Sequence, residues 1–264
     1  MPPNRATDFD LGRIIADTFV EQVQYHETID STSTAALESS QQVNLQTPLL
    51  VLAGQQTAGR GRGSNTWWSA AGSLTFSLLI DPAILGIDQR EWPQASLTTG
   101  LAICLALDEL LDDQLLSLKW PNDVLLNDRK ISGVLVEAGA AAAGQLVIGI
   151  GINVNNSFQD APDPLPMTAT SLIDTTEREF ALEEVLVSVL QQLARQLERL
   201  SSHDPTLATD WQQRSALTGR TVEVVTEKHR RQGICQGIDE EGALILATTK
   251  GPARIFAGLV QEVE

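Results

Sequence analysis

The 264-residue chain predicts an α+β protein in which a mixed or antiparallel sheet is flanked by helices and followed by a small β-barrel. Three observations lead there. A long apolar helical stretch, Pro93 to Leu111, precedes four short strand-like segments separated by tight polar turns, a spacing that suits hairpins rather than helical crossovers. Two further helical segments follow, at about 181–200 and 204–217. From Thr218 the runs TVEVV, RRQGICQGI, GALILAT and ARIFAG crowd into fewer than 50 residues, as the strands of a small barrel would. The main unit is therefore expected at 1–217 and the barrel at 218–264.

In chain order, residues 10–23 read as an amphipathic helix and Tyr25 to Thr28 as a strand. That strand leads into Asp30-Ser31-Thr32-Ser33-Thr34, a helix start rich in capping hydroxyls. Pro48 to Ala53 and Ser73 to Ile80 are continuously apolar and read as buried strands, so Gly59-Arg60-Gly61-Arg62-Gly63 lies in the loop between them. Beyond the long helix, strands are expected at Leu116 to Lys119, Val124 to Leu126, Ile131 to Gly139 and Gln145 to Val154. An alanine-glycine turn occupies 138–144, and residues 155–176, rich in Asn, Asp, Pro and Thr, form a long connection.

Composition narrows the function. A content of 42% hydrophobic residues is enough for a substantial core, and a formal net charge of −16 disfavours nucleic acid and anionic membrane surfaces as partners. No apolar run approaches the ~20 residues of a membrane span, and the amino terminus has no signal-like apolar region. Cys104 and Cys235 have no metal-ligand spacing with His26, His203 or His229; they read as reduced packing residues, which suits the cytoplasm.

Against this acidic background the positive charge is concentrated. KWPNDVLLNDRK, from Lys119 to Lys130, holds two of the chain's four lysines, and the glycine-arginine loop holds two alternating arginines. Glycines there let the backbone approach a ligand and present N–H donors, so the two islands together read as an anion cradle. No GxSxG elbow or HExxH pair suggests covalent or zinc chemistry. Cations, glycines and hydroxyls suit a reaction that joins two anionic reactants, such as a carboxylate attacking the α-phosphate of ATP with Mg²⁺ accompanying the pyrophosphate.

Five segments in order carry a family resemblance: DSTS at 30–33, QTAGRGR at 56–62 followed by Trp67, KWPNDVLLNDRKISGVLVE at 119–137, GIGINV at 149–154, and the carboxy-terminal β segment. From about residue 25 onward the chain resembles the biotin protein ligases, or biotin–[acetyl-CoA-carboxylase] ligases. The resemblance implies a class II synthetase-like, biotin/lipoate ligase type of fold with an SH3-like barrel. It also implies a two-step reaction in which biotin and ATP give biotinyl-5′-adenylate, and a lysine of a biotin carboxyl carrier protein then attacks the mixed anhydride.

Carried over by motif, Ser31, Thr32, Ser33 and Gln56 would hold the biotin ureido ring, while Arg60, Gly61 and Arg62 would line its carboxylate and the phosphate. Lys130 would be the principal catalytic cation, and Gly133 would let its strand pass close to the ligand. Lys119 and Asp123 would serve the triphosphate and its metal, with Trp67, Asn122 and Asn153 around the adenine. The chain departs from the family at Ser64-Asn65-Thr66, where another Gly-Arg is common, and at Ser33, where Asn is common.

Only some 25 residues precede the first motif, with Arg5 and Arg13 as their cations, so a monofunctional ligase without a DNA-reading module is expected. Carrier domains are usually acidic too, so docking is expected to use strand pairing along a sheet edge, and homodimerisation through such an edge stays open. Two other readings also stay open: a lipoate ligase or octanoyltransferase, and a biotin-binding regulator without turnover.

Overall fold

The structure is a computed structural model that describes residues 9–42, 44–139, 144–161, 169–226 and 229–262. Arg5, part of the 138–144 turn and the middle of the 155–176 connection lie outside the described residues.

Helix α1 (Leu11–Asp17) starts at Asp10, whose carboxylate accepts from the Arg13 N–H. The expected helix over 10–23 stops early. Thr18, Val20 and Val23 are β-branched and favour extended backbone, and Gln22 already pairs with Leu49, so β1 (Gln22–Ile29) begins inside the expected helix. The chain passes through α2 (Thr32–Ser39) to β2 (Leu49–Gln56), parallel to β1, and β3 (Leu74–Ile80) runs antiparallel beside it. A 3₁₀ turn at Gln89–Gln94 contains Pro93, so α3 (Ala95–Asp108) starts two residues later than expected.

Strands β4 (Leu116–Lys119), β5 (Asp123–Leu126), β6 (Arg129–Ala138) and β7 (Leu146–Ile152) follow as antiparallel hairpins. The seven strands form one sheet in the order β1-β2-β3-β7-β6-β5-β4. Among the described residues its only parallel strand pair is β1 with β2, which makes the sheet mixed.

After a short α4 (Leu172–Thr176), α5 (Leu182–Ser201) presents Val185, Leu186, Val189, Leu190, Leu193 and Leu197 at helical spacing to α3. Because α3 lies between α5 and the sheet, it is apolar around nearly its whole circumference. Helix α2 covers part of the opposite face, over β2, β3 and β7, and leaves the rest of that face open.

Helix α6 (Thr206–Gln213) leads to a five-stranded antiparallel sheet of β8 (Thr221–Val225), β9 (Arg230–Ile238), β10 (Leu244–Thr248), β11 (Gly251–Ile255) and β12 (Leu259–Glu262). Its order, β11-β10-β9-β8-β12, is compatible with an SH3-like barrel. This sheet is anchored to the main body. The Trp120 indole N–H donates to the Gly242 carbonyl at 3.0 Å, the Ile238 N–H donates to Gln212 Oε1 at 2.8 Å, and Val222, Val224, Leu244 and Leu246 join the main core. A buried indole N–H with a partner avoids the desolvation cost of an orphaned donor.

Candidate active site

The register carries one row of opposed residues across all seven strands: His26, Ala53, Thr75, Gly151, Gly133, Asp123 and Lys119. A second row two residues along carries Ser77, Gly149 and Leu135. Opposed residues share a face, and the face that α2 covers only in part is the floor of a cleft lined by Thr75, Gly151, Gly133 and Asp123.

The glycines of this floor make room for side chains from above. A Cβ at Gly149 would collide with Ser33 Oγ, and one at Gly151 would enter the Trp67 indole. A Cβ at Gly133 would stand 3.3 Å from Lys130 Nζ and 3.5 Å from Trp67. Glycines spaced two apart on a strand thus mark close approach of other groups.

One end of the cleft is a buried polar network. Ser31 caps α2, its hydroxyl accepting from the Thr34 N–H at 3.5 Å, and so holds Thr32 and Ser33 at the cleft. Gln56 Oε1 accepts from the Thr32 N–H at 2.6 Å and from the Thr32 hydroxyl at 3.0 Å. An amide oxygen cannot donate, so the Thr32 oxygen accepts from Ser77 at 2.8 Å, and Ser77 in turn accepts from Ser33 at 3.1 Å. Proton direction in this chain leaves the Ser33 oxygen as an acceptor facing the cleft.

Positive charge lines the same cleft. Lys130 Nζ stands 2.6 Å from Asp123 Oδ1, an ion pair without aligned hydrogen-bond geometry. Arg60 pairs with Glu137. Arg62 has neutral partners instead, donating to Asn122 Oδ1 at 3.3 Å and to the Gly258 carbonyl at 3.4 Å. Burial holds the Arg62 guanidinium below its usual pKa, a shift opposed by the charge of Asp123. The loop bearing both arginines is a closed hairpin: Gly61 N–H donates to Asn65 O and Trp67 N–H to Gly59 O, each at 2.9 Å, and the turn is completed at Gly63 with φ +63°.

The backbone beside Lys130 is clamped. Its carbonyl accepts from the Thr170 N–H at 2.9 Å, the next carbonyl, of Ile131, accepts from the Asn153 N–H at 2.9 Å, and Leu172 N–H donates to Asn153 O at 3.1 Å. Leu259, from the carboxy-terminal sheet, closes part of the cleft wall.

Residues 25–153 match the Biotin/lipoate A/B protein ligase family. The biotin--[acetyl-CoA-carboxylase] ligase of Paracoccus denitrificans is 32% identical over 231 residues, covering 85% of this chain and 92% of that protein. This chain belongs to the biotin protein ligase family. The bifunctional ligase/repressor BirA of Bacillus subtilis is 32% identical over 241 residues, 90% of this chain and 73% of that protein. Among solved structures, the biotin protein ligase of Aquifex aeolicus in complex with biotin and ATP superposes with a TM-score of 0.78 at 29% identity, covering 92% of this chain and 99% of that one.

Within this biotin protein ligase fold, Thr32, Ser33, Gln56, Arg60, Gly61, Arg62, Trp67, Asn122, Asp123, Lys130 and Gly133 all line one cleft. Three residues singled out in the sequence stand elsewhere. Ser31 is a buried cap, and Lys119 lies opposite Asp123 at the far end of the floor row without lining the cleft. Asn153 is buried just past the end of β7 and does not line the cleft; its Oδ1 accepts from Asn156 Nδ2 at 3.2 Å.

Sequence reasoning missed Thr75, Ser77, Glu137, Gly149, Gly151 and Leu259. Alternation was the available signal for four of them: Thr75 with Ser77, and Gly149 with Gly151, interrupt apolar strands at every second position and so share a face. Nothing local marks Leu259, which reaches the cleft from the second sheet.

Proposed function

We infer that the protein is a biotin protein ligase, which activates biotin with ATP to biotinyl-5′-AMP and transfers biotin to a lysine of a carboxyl carrier protein. Besides the relatives, the observation that carries this reading is one cleft that combines a directed hydroxyl network with Arg60, Arg62 and Lys130. A ureido ring needs N–H acceptors and C=O donors, and the Ser33 oxygen and the Gln56 carboxamide offer both kinds of group. The apolar dithiolane ring of lipoate would leave those polar groups unpaired, at a cost of about 1–3 kcal/mol each.

The biotin carboxylate and the triphosphate repel each other. Opposite unit charges at ~4 Å attract by about 4 kcal/mol at an effective dielectric of ~20. In the proposed arrangement Lys130 bridges carboxylate and α-phosphate as charge grows between them. Arg60 holds the carboxylate, Arg62 holds the phosphate, and Trp67 and Asn122 border the adenine. The Lys119 side of the floor row serves the triphosphate, and Asn153 acts by holding the strand that bears Lys130 rather than by touching the base.

Asp123 is the residue proposed to hold Mg²⁺. Among the described residues no three His, Cys, Asp or Glu side chains cluster as a metal site. A single cleft carboxylate suits an ion bound chiefly by phosphate and water. The ion would supply charge neutralisation on the triphosphate.

Residues 1–217 are read as the catalytic unit and 218–264 as the appended barrel. No helix among the described residues is long and apolar enough to cross a membrane, and both thiols are buried and unpaired. These features, with the acidic charge, support a cytoplasmic protein without a nucleic-acid partner. Incubation with ATP, Mg²⁺, biotin and a carrier domain, read by intact mass, tests the function. One biotin-dependent addition to the carrier is expected, and lipoate transfer or no transfer would refute it.

A further inference from the structure

We propose that Glu137 is a positioning residue that aims Arg60 at the carboxylate of the acid being activated; this rests on the ligase reading above. On β6, Gly133 and Leu135 line the cleft, and strand alternation puts Glu137 on the same face one step beyond Leu135. From there Glu137 Oε1 receives Arg60 Nη2, tying the mobile end of a loop side chain to the sheet. Glu137 is the more enclosed partner, with its side chain 24% exposed against 39% for Arg60.

The second oxygen of Glu137, Oε2, is enclosed and has no hydrogen-bond partner among the described residues. No other donor therefore dilutes the carboxylate charge, which is directed at the guanidinium and leaves it a second acceptor to close a bidentate pair. Arg60 touches Glu137 through one terminal nitrogen and lines the cleft as well, so the same planar group can face the ligand with its remaining N–H donors. Each cleft cation has a dedicated support: Asp123 for Lys130, Asn122 and Gly258 for Arg62, and Glu137 for Arg60. Glu137 stands outside the cleft lining and acts through the arginine.

A merely structural ion pair would affect all ligands alike, whereas a positioning role is specific to a charged ligand. The test is calorimetric binding of biotin and of its uncharged alcohol analogue, biotinol, to the full chain and to Glu137→Gln and Glu137→Ala. Glu137→Gln is nearly isosteric and guards against a folding defect in Glu137→Ala. Both variants are expected to bind biotin about tenfold more weakly and biotinol within about twofold of the parent. In an Arg60→Ala background the Glu137 effect on biotin should vanish. Equal losses for both ligands, no loss for biotin, or a loss that persists without Arg60 would overturn the proposal. Failure of the parent chain to bind biotin at all would instead refute the ligase reading on which it rests.

Discussion

Trp67 lies on Gly151: the space that any Cβ at Gly151 would need is filled by the indole ring. Gly133, directly opposite Gly151 in the sheet, receives the other edge of the same ring together with Lys130 Nζ. The two glycines therefore couple the glycine-arginine loop, which carries Trp67, to the strand that carries Lys130. A Cβ at Gly151 would displace the indole, whereas one at Gly133 would press on the end of the Lys130 side chain at 3.3 Å.

Gly151→Ala is expected to lower stability by about 1–3 kcal/mol, the usual cost of forcing atoms into packed space, and to weaken ATP binding. Trp67→Ala in the same chain should recover the stability but not the nucleotide affinity. Thermal unfolding of the two single variants and the double variant decides this; additive losses would show that the new methyl meets something other than the indole.

Lys130→Ala should lower the rate of biotin-dependent pyrophosphate release by about 10²–10³-fold, the scale of losing one charge-stabilising donor. The side chain is 35% exposed and its partner Asp123 can be hydrated, so melting should change by less than about 1 kcal/mol. A folded variant with near-normal release would remove Lys130 from the mechanism.

Arg62 joins the loop to Asn122 and to the Gly258 carbonyl of the second sheet. Arg62→Gly should free that tie and release adenylate at least about tenfold faster, since a hydrogen bond to a charged group is worth about 1.5–3 kcal/mol. Promiscuous labelling of bystander lysines should follow. Adenylate retention on a desalting column is the measurement, and unchanged retention would mean that the loop holds the intermediate without this arginine.

Burial pushes the Cys104 thiol up to about 12. Its folded-state value lies above the unfolded value of about 8.5, so its contribution to stability is fully present below pH ~8.5 and is lost as pH rises toward the folded value. Unfolding free energy should fall across that alkaline window, and Cys104→Ala should flatten the decline. Denaturant titrations at pH 8 and pH 10 on both chains would expose a parallel pH dependence, which would assign the decline to other groups.

Much of the active centre was legible in the sequence because short motifs keep their own geometry. DSTS starts a helix with its own cap, and GRGR closes its own hairpin. KWPND turns tightly between β4 and β5 across a cis Trp120–Pro121 peptide. Lys119 and Asn153 sit in the same motifs yet outside the cleft: Lys119 lies one strand beyond Asp123, and Asn153 follows the end of β7 at Ile152, where its backbone bonds Ile131 and Leu172.

By itself the sequence determined the α+β class, the order of the elements and which residues bring cations and hydroxyls, since periodicity, caps and turn residues act over a few positions. Tertiary structure alone decided that Thr75, Gly151, Gly133 and Asp123 fall in one row, that Glu137 meets Arg60 seventy-seven positions away, and that Leu259 closes the cleft from a second sheet. Strand register and domain docking bring together residues remote in the chain, and their free energy resides in burial and pairing across the whole sheet, which no local window contains.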